Sequence, residues 1–392
     1  MSLPSAAATI VVNSGADVEG PPWVGEPARC AAGSTLPCRM RDAVAAARGG
    51  DRIVFAPGIT EIALGRTLKF ADTSGLPVTV DGEGRVTFPS PTGNPTLRMM
   101  GPHTNVVVLR GLTIQGGLAD YGLPLAAPYV HDCGGAILNQ GNLTLERITL
   151  TRGLARYGGL ICNMGELRIA DSTLTSGSAI ASAGAIMNAG TLEVTNSTFD
   201  ANFGPPLGFR FGHAGAVNNH YGTADFNFVT MARNRGAVDT ENVNVGHAIL
   251  NDCGDVRVRN SVLQASQVMG LSVGRYPCTI APTRVENSLF PRSSAGLLYS
   301  MEIYWDDGGG NINAPAPLEE PAANGGPTPT MALPQDSLAI DAVPCVGAPA
   351  TDQRGRRRPQ GAACDMGAFE YTGELFVDGF EPGAATATGD QP

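Results

Sequence analysis

The sequence predicts an all-β protein that folds as a parallel β-helix, and three patterns support that prediction. A Gly-Ala-Ile-x-Asn-x-Gly motif recurs at Gly135–Gly141, Gly159–Gly165 and Gly184–Gly190. Each copy is followed by a stretch of alternating apolar residues that ends in a tetrad related to Asn-Ser-Thr-Phe. Matching apolar positions of these stretches recur every 24 to 32 residues, at Leu145, Ile169, Val194, Phe226, Val258 and Val285. Repeats of this length are typical of solenoids and propellers.

The composition of the repeat unit distinguishes between these architectures. The unit contains short alternating strands separated by Gly and Asn, and it lacks a helical apolar pattern of ten or more residues. A leucine-rich repeat requires an L-x-x-L-x-L consensus, and a propeller blade requires about 40 residues. A parallel β-helix, in which each coil supplies a few short strands, fits both the length and the pattern.

The first position of the tetrad predicts a tight turn between two strands. Asn tolerates the left-handed backbone conformation and can hydrogen-bond along a stack of coils. We therefore expect an asparagine ladder, with a structural role, in the column formed by Arg147, Asp171, Asn196, Phe228, Asn260 and Asn287.

The ends of a solenoid expose unpaired strand edges, so capping elements are expected. The stretch Cys38–Arg48 predicts an amphipathic helix with Met40, Val44 and Ala47 along one face. It comes just before the first predicted strand, Arg52–Ala56, and is therefore interpreted as an N-terminal cap.

Composition excludes several classes of protein. The chain has 392 residues, a net charge of −10, 16% charged residues and 43% hydrophobic residues, which is too apolar for a disordered protein. The one dense basic run is Arg354–Arg358, so we expect no nucleic-acid partner, because phosphate-binding surfaces need clustered positive charge. No stretch reaches the ~20 apolar residues of a transmembrane helix, and no signal-peptide pattern is present.

The cysteines indicate disulfides and an oxidising compartment. There are eight, at positions 30, 38, 133, 162, 253, 278, 345 and 364, and none forms a C-x-x-C motif or accompanies His at zinc spacing. Cys30/Cys38 and Cys345/Cys364 are plausible local pairs, because each pair flanks a loop-like segment. The pairing of the other four stays open. A secreted protein is the expectation.

Two segments resemble modules of bacterial surface proteins. Residues 38–88 (CRMRDAVAAARGGDRIVFAPG…VTVDGEGRVTF) resemble the Cys-Ser-Leu-Arg-Glu-Ala module, although Arg39-Met40 and Asp42 replace its Ser-Leu and Glu. Residues 324–371 (NGGPTPTMALPQDSLAIDA…TDQRGRRRPQGAACDMGAFEY) resemble the tail of choice-of-anchor Q proteins. These resemblances imply a right-handed, pectin-lyase-like β-helix on a secreted or surface-attached bacterial protein. They imply no particular reaction, because a fold does not determine a function.

The complete fold prediction is an all-β, right-handed parallel β-helix solenoid with an N-terminal capping helix and a loop-rich C-terminal cap. Four regions follow from it. They are an N-terminal segment with the capping helix (1–50), the β-helix (51–313), a C-terminal choice-of-anchor-type segment (314–372) and a flexible tail (373–392).

Most length variation falls between a tetrad strand and the next Gly-Ala-Ile strand. The segments concerned are 115–133, 151–158, 175–183, 200–214, 232–246, 264–282 and 291–313. Stacking of the coils aligns these loops along one side, where solenoids commonly form their binding surface. The candidate catalytic residues in this loop ridge are Tyr157, His213, Arg233, Arg235 and Asp239. The candidate substrate-binding residues are His131, Arg210, Glu241, His247 and Trp305.

These residue types suit two reactions on polysaccharides. A lyase acting on a uronic-acid polymer needs a cation beside the carboxylate, which Arg210, Arg233 or Arg235 would supply. It also needs a base and an acid, for which His213 and Tyr157 are candidates. A hydrolase needs paired carboxylates. The close acidic pairs of the loop ridge are Asp239 with Glu241 and Asp306 with Asp307.

The loop ridge favours a protein that binds an extracellular polysaccharide. One form of this hypothesis is that the protein also cleaves the polysaccharide. The alternative is a non-catalytic adhesin or a structural surface stalk. The expected partner is a polysaccharide or a cell-surface glycan, without nucleic acid, and the oligomeric state stays open. We expect no cofactor and no dedicated metal site, because no calcium-loop spacing recurs, although a calcium ion bound by a loop is an alternative.

Overall fold

The computed structural model describes residues 7–18, 24–70, 75–89, 97–99, 106–118, 133–204, 214–236, 247–264, 267–271, 283–291 and 305–373, with only the backbone described at 97–99, 247, 252, 267–271 and 305. The protein is all-β, with 45% of the described residues in strands and 4% in helices, and its parallel sheets form a β-solenoid of about six turns. The predicted fold class is therefore confirmed.

The Gly-Ala-Ile-x-Asn motifs belong to one parallel sheet of eight strands, which we call the asparagine sheet. Its strands are β3 (Leu68–Phe70), β5 (Leu97–Met99), β7 (Ile137–Asn139), β11 (Ile161–Asn163), β15 (Ile186–Asn188), β18 (Ala214–His220), β21 (His247–Asp252) and β24 (Gln267–Leu271). Ile161 pairs with Ile137 on one side and Ile186 on the other, and all three are buried. The motif glycines permit this stacking, because a Cβ on Gly159 would lie 2.4 Å from the carbonyl oxygen of Gly184.

The alternating stretches form a second sheet of sixteen parallel strands, which bends at the tetrad turn into two faces. The charged face comprises β8 (Asn142–Glu146), β12 (Glu166–Ala170), β16 (Thr191–Thr195), β19 (Thr223–Asn227), β22 (Asp255–Arg259), β25 (Thr283–Glu286) and β26 (Trp305–Gly309). The threonine face comprises β9 (Thr149–Thr151), β13 (Thr173–Thr175), β17 (Thr198–Asp200), β20 (Thr230–Ala232) and β23 (Val262–Leu263). The long strands β4 (Val78–Phe88) and β6 (Val106–Gln115) run through both faces.

The register of this sheet matches the repeat found in the sequence. Ile169 pairs with Leu145 in the preceding coil and with Val194 in the next, and the column continues through Phe226 and Val258. All five side chains are buried. Because side chains of a strand alternate between its two faces, a slip of one residue would turn this column outward.

Two segments predicted to be loops instead form a third, narrow side of the solenoid, which we call the short face. It consists of β10 (Leu154–Tyr157) and β14 (Ser178–Ser182), which pair in parallel. Isolated bridges extend it to Phe203 and Arg235 in the following coils. Its inward positions are occupied by small residues such as Ala155 and Ala179, so the apolar alternation that reveals the other strands is weak here.

The tetrad turn has the predicted left-handed backbone. All six residues of the column, from Arg147 to Asn287, have φ between 46° and 55°. The ladder expected there is absent among the described residues, because only isolated side-chain bonds occur. Asn196 donates to Asp171 at 3.3 Å, and Asn260 donates to Asn227 at 2.8 Å. The column therefore fixes the turn without forming a continuous stack.

The continuous ladder lies in the other asparagine column, that of the Gly-Ala-Ile-x-Asn motif. Each Nδ2 donates to the Oδ1 of the next asparagine at 2.6–3.1 Å, through Asn139, Asn163, Asn188, Asn219 and Asn251. All five side chains are fully buried. The prediction of an asparagine ladder was therefore wrong in its location: the amides stack inside the solenoid, where buried polar groups must find partners.

The N-terminal cap contains the predicted helix, α1 (Met40–Ala46), with Met40 and Val44 buried. The strand β1 (Thr9–Val12) precedes it and pairs with β2 (Arg52–Phe55), so the stretch predicted as the first strand is the second. A 3₁₀ turn, Pro27–Cys30, packs beside the helix. Arg41 holds the cap together through Asp17 at 2.6 Å.

The C-terminal segment (residues 314–372) lies along the threonine face. Thr173 Oγ1 donates to the carbonyl oxygen of Pro329 at 2.6 Å, and Thr198 Oγ1 donates to Gln353 Oε1 at 2.7 Å. Thr173, Thr198 and Thr230 are fully buried beneath it, whereas the same column continues as half-buried residues at Thr87, Thr113 and Thr149. The expected cap thus covers a side of the solenoid.

Three disulfides are present among the described residues: Cys30–Cys38, Cys133–Cys162 and Cys345–Cys364. The first and third are the two local pairs that the sequence favoured. Cys253 is also disulfide-bonded. Cys133–Cys162 joins adjacent coils beside the short face, a connection that the sequence left open.

We expect the double substitution Cys133→Ala/Cys162→Ala to lower the free energy of unfolding by about 2–4 kcal/mol, because the bond closes a loop of 29 residues. Denaturant unfolding of the two proteins tests this. Cys30→Ala/Cys38→Ala, which opens a loop of only 8 residues, is expected to have a smaller effect. An unchanged midpoint for the first variant would contradict the prediction.

Candidate functional site

The structure describes the side chains of three of the ten candidate residues: Tyr157, Arg233 and Arg235. His247 and Trp305 are placed by their backbones alone, at the beginnings of β21 and β26. The other five, His131, Arg210, His213, Asp239 and Glu241, lie outside the described residues.

Arg233 connects the solenoid to the C-terminal segment. It follows β20 at a left-handed turn, with φ of 54°, and its guanidinium binds the buried Asp200 through two bonds of 2.7 and 2.8 Å. It also forms an ion pair with Glu320 of the C-terminal segment. The hydrogen bonds to Asp200 raise the pKa of Arg233 above its ordinary value. Both carboxylate contacts occupy this guanidinium within the protein.

Tyr157 ends β10 and is half-buried. Its ring packs against a cluster that contains the Cys133–Cys162 disulfide, and the guanidinium of Arg156 lies 5.8 Å from the ring centroid. Tyr157 pairs in the parallel register with Ser182 of the next coil. These contacts anchor the ring at the edge of the short face.

Arg235 lies at one end of an outward-facing column of the short face, which we call the exposed column. Its members, on successive coils, are Leu118, Leu154, Ser178, Phe203 and Arg235. Neighbouring coils are about 4.8 Å apart, so the column extends for about 19 Å along the solenoid axis. Phe203 is 41% exposed and Leu118 is 36% exposed. A large apolar ring on the surface beside an arginine is a feature of binding sites.

Positive charge accumulates around this column although the chain is acidic overall. Arg152 and Arg235 are exposed, and neither forms an ion pair with any described residue. Arg156 belongs to β10 of the same face. The charged face differs, because four of its arginines form ion pairs with carboxylates of neighbouring strands. The pairs include Arg110–Glu146, Arg168–Glu193, Arg259–Asp225 and Arg284–Asp306.

A polar cluster borders the short face where it meets the asparagine sheet. Asn218 Nδ2 donates to Ser182 Oγ at 2.8 Å, and both side chains are 6% exposed. Asn218 Oδ1 is buried and accepts no hydrogen bond from any of the described residues. The corresponding positions in adjacent strands are apolar, Met187 and Leu250. Asn218 is therefore a polar residue in an otherwise apolar outward column.

The acidic pair Asp306/Asp307 was predicted to lie in an inserted loop, but it lies in the strand β26. Asp306 pairs with Arg284 at 2.9 Å, and Asp307 accepts bonds from Gly309 and Asn311. No group of three or more His, Cys, Asp or Glu side chains arranged to hold a metal occurs within the described ranges. Across the same ranges, no helix is long and apolar enough to cross a membrane.

No protein-family model matches this sequence, and no curated protein is significantly similar to it. The resemblances of residues 38–88 and 324–371 to known surface modules therefore stay predictions. The parallel β-solenoid itself is established by the strand pairing.

Sequence reasoning missed Phe203, Ser182 and Asn218. Phe203 follows the tetrad strand as Asn202-Phe203-Gly204, and Arg235 has the equivalent place in Asn234-Arg235-Gly236. This shared Asn-x-Gly pattern was a usable signal that the two side chains occupy neighbouring coils. Asn218 differs from the apolar residue at the same motif position in neighbouring copies, which also marks it in the sequence.

Proposed function

We propose that this chain is a secreted or cell-surface bacterial protein that binds an extracellular polysaccharide along the exposed column of the short face. The observation that carries the proposal is the exposed ring of Phe203 beside Arg235 on the adjacent coil, whose guanidinium forms no ion pair with a described residue. A sugar ring offers an apolar face for stacking and a polar rim for hydrogen bonds, and these two side chains match both.

The geometry of the exposed column suits an extended polymer. Its positions repeat with the spacing of the coils, over about 19 Å, so several successive units of a chain could be contacted in line. The exposed side chains of Arg152 and Arg235, which form no ion pair with a described residue, support a polymer that carries carboxylate groups. The disulfides support an oxidising, extracellular compartment.

Cleavage of the polymer is a further hypothesis, which rests on the untested residues of the loop ridge. Arg235 would neutralise a carboxylate, and His213, Tyr157 or Asp239 would transfer protons. Of these, only Arg235 and Tyr157 have described side chains, and Tyr157 packs on a disulfide. Binding without cleavage therefore has the stronger support.

A passive surface stalk is the second candidate, and the charged face favours it. There four arginines form ion pairs with carboxylates of adjacent strands, which gives a regular surface of mixed charge. The buried asparagine ladder adds stiffness along the same axis.

We expect Phe203→Ala and Arg235→Ala each to weaken binding to an acidic polysaccharide by about tenfold, the equivalent of about 1.4 kcal/mol. The measurement is binding to a panel of immobilised uronate-containing and neutral polysaccharides, with ultraviolet absorbance and reducing ends recorded to detect lyase or hydrolase products. Arg168→Ala, on the charged face, is the matched control and should leave binding unchanged. Binding that neither substitution on the short face weakens, or no binding to any polysaccharide, would favour the stalk.

A further inference from the structure

The C-terminal segment contacts the solenoid through buried polar groups. Gln353 lies at the centre of this contact, where its Nε2 donates to Thr173 Oγ1 and its Oε1 accepts from Thr198 Oγ1. At one end, Thr328 Oγ1 donates to the carbonyl oxygen of Asp171 at 2.9 Å. At the other, the amide of Ala368 donates to Thr230 Oγ1. The contact therefore spans several coils.

Carboxylates outnumber guanidiniums at this contact. Besides the ion pairs of Arg233 with Asp200 and Glu320, the contact contains four carboxyl groups, Asp171, Asp352, Asp365 and Glu370, and two buried guanidiniums, Arg354 and Arg358. Arg354 pairs with Asp352, and Arg358 pairs with Glu370. Asp171 and Asp365 form no ion pair with a described residue. When ionised, Asp171 and Asp365 would thus each carry a negative charge without a counter-ion at ion-pair distance, which is costly for a buried or half-buried carboxyl group.

Asp171 is the member that lies directly between the two parts. It occupies a left-handed turn of the solenoid, and the charged groups that act on it are Arg147 and Glu146 from its own side and Asp352 from the C-terminal segment. Asn196 donates to its Oδ1 at 3.3 Å. Two of the three charged neighbours are negative, so a proton on Asp171 relieves repulsion across the contact.

We propose that docking of the C-terminal segment on the threonine face is coupled to proton uptake, so that the segment is held more tightly at pH 5 than at pH 7. Asp171 is the principal proton acceptor, and Asp365 contributes in the same direction. As the pH rises, the segment opens more often and uncovers Thr173, Thr198 and Thr230. The threonine column then continues unbroken from Thr87 to Thr230.

The direction of the pKa shifts agrees with this coupling. Burial raises the pKa of Asp171 to about 6, with the charges of Glu146 and Asp352 acting in the same sense. Burial also raises the pKa of Asp365, beside Asp341, and of Glu370. A carboxyl group with a raised pKa in the docked state binds protons better there than in the open state. Docking is therefore favoured as the pH falls through about 6, and this advantage is lost above it.

Hydrogen exchange of the full chain, corrected for the intrinsic effect of pH, tests the proposal. We expect amides of residues 314–372 to be protected about tenfold more at pH 5 than at pH 7. The Asp171→Asn variant lacks the proton-binding carboxyl group. In this variant the protection of residues 314–372 should differ between pH 5 and pH 7 by clearly less than in the wild type. Asp336→Asn changes an exposed carboxyl group of the same segment and should behave as the wild type.

The wild-type profile keeps the proposal testable even if Asp171→Asn does not fold. Equal protection of residues 314–372 at pH 5 and pH 7 in the wild type would overturn it. So would an Asp171→Asn variant that folds and keeps the full pH dependence. Resistance of the segment to a protease that is active at both pH values, measured on the wild type, should show the same increase at pH 5.

Discussion

Asn219→Leu is expected to lower the free energy of unfolding by about 3–5 kcal/mol, whereas Asn218→Leu is expected to change it by less than about 1 kcal/mol. Asn219 is an inner member of the buried ladder. It accepts from Asn188 at 2.6 Å and donates to Asn251 and to the carbonyl oxygen of Gly222. A leucine there would remove all three hydrogen bonds, each of which contributes about 0.5–1.5 kcal/mol, and would interrupt the polarised series of amides.

Asn218 is the matched control, because it precedes Asn219 in the same strand and is also buried. Its side chain points away from the ladder, makes one hydrogen bond to Ser182 and leaves Oδ1 without a partner among the described residues. The equivalent residue in the following coil is Leu250, so a leucine fits the surroundings. Denaturant unfolding of both variants makes the comparison. Similar losses of stability in the two would show that burial, and not the continuity of the ladder, determines the effect.

Arg358→Met is expected to lower the free energy of unfolding by about 3–5 kcal/mol, because it leaves Glu370 charged and buried without a counter-ion. Both side chains are almost completely inaccessible to solvent. The guanidinium also donates to the carbonyl oxygen of Gly367 and lies 4.5 Å from the ring centroid of Phe228. Its loss should therefore loosen the C-terminal segment first.

Addition of Glu370→Gln to Arg358→Met tests the cause, since it removes the uncompensated charge. We expect the double variant to recover part of the lost stability, so that the two substitutions are not additive in a double-mutant cycle. Calorimetry or denaturant unfolding supplies the four free energies. Additive losses would indicate that packing of Arg358 against Phe228, and not the ion pair, is the main contribution.

The repeat allowed the main register to be predicted from sequence. Inward residues such as Ile169 must alternate along a strand and must recur once per coil, so a single alignment fixes both the strand and its neighbours. The short face was not predicted because its strands are only four or five residues long and have alanine at their inward positions. The alternation of large apolar and polar residues is therefore weak in these strands.

The location of the ladder could not be read from the residue type. Asparagine occurs in both columns, since it suits a left-handed turn as well as an amide stack. Burial decides between them, and burial depends on which side of each strand faces the core. Asn188 is inside the solenoid and makes five hydrogen bonds, whereas Asn196 turns toward the C-terminal segment.

Phe228 shows how a distant part of the chain alters a repeat. It occupies the left-handed turn position that holds Asn in three other coils, where a large apolar side chain would ordinarily be exposed. In the folded protein it is fully buried, and Arg358 of the C-terminal segment covers its ring. The presence of Phe instead of Asn at this turn position thus indicated that the position is covered. The sequence alone did not indicate which part of the chain covers it.

The candidate site was only partly predictable for a related reason. Arg233 and Arg235 are two residues apart, yet the first is held by Asp200 and Glu320, and the second is exposed. The sequence shows both as loop arginines. Their difference comes from Asp200 of the preceding coil and from the C-terminal segment, which follows them by more than eighty residues and supplies Glu320.

The asparagine ladder gives the solenoid a net side-chain dipole along its axis. Every amide in it points its N–H toward the C-terminal coils and its C=O toward the N-terminal coils, so the side-chain dipoles add instead of cancelling, as peptide dipoles do in a helix. An aspartate could not replace an internal asparagine of the ladder, because a carboxylate has no N–H group to donate to the asparagine of the next coil. A duplicated coil, in contrast, would bring its own correctly oriented amide, and the protein could lengthen by whole coils without interrupting the series.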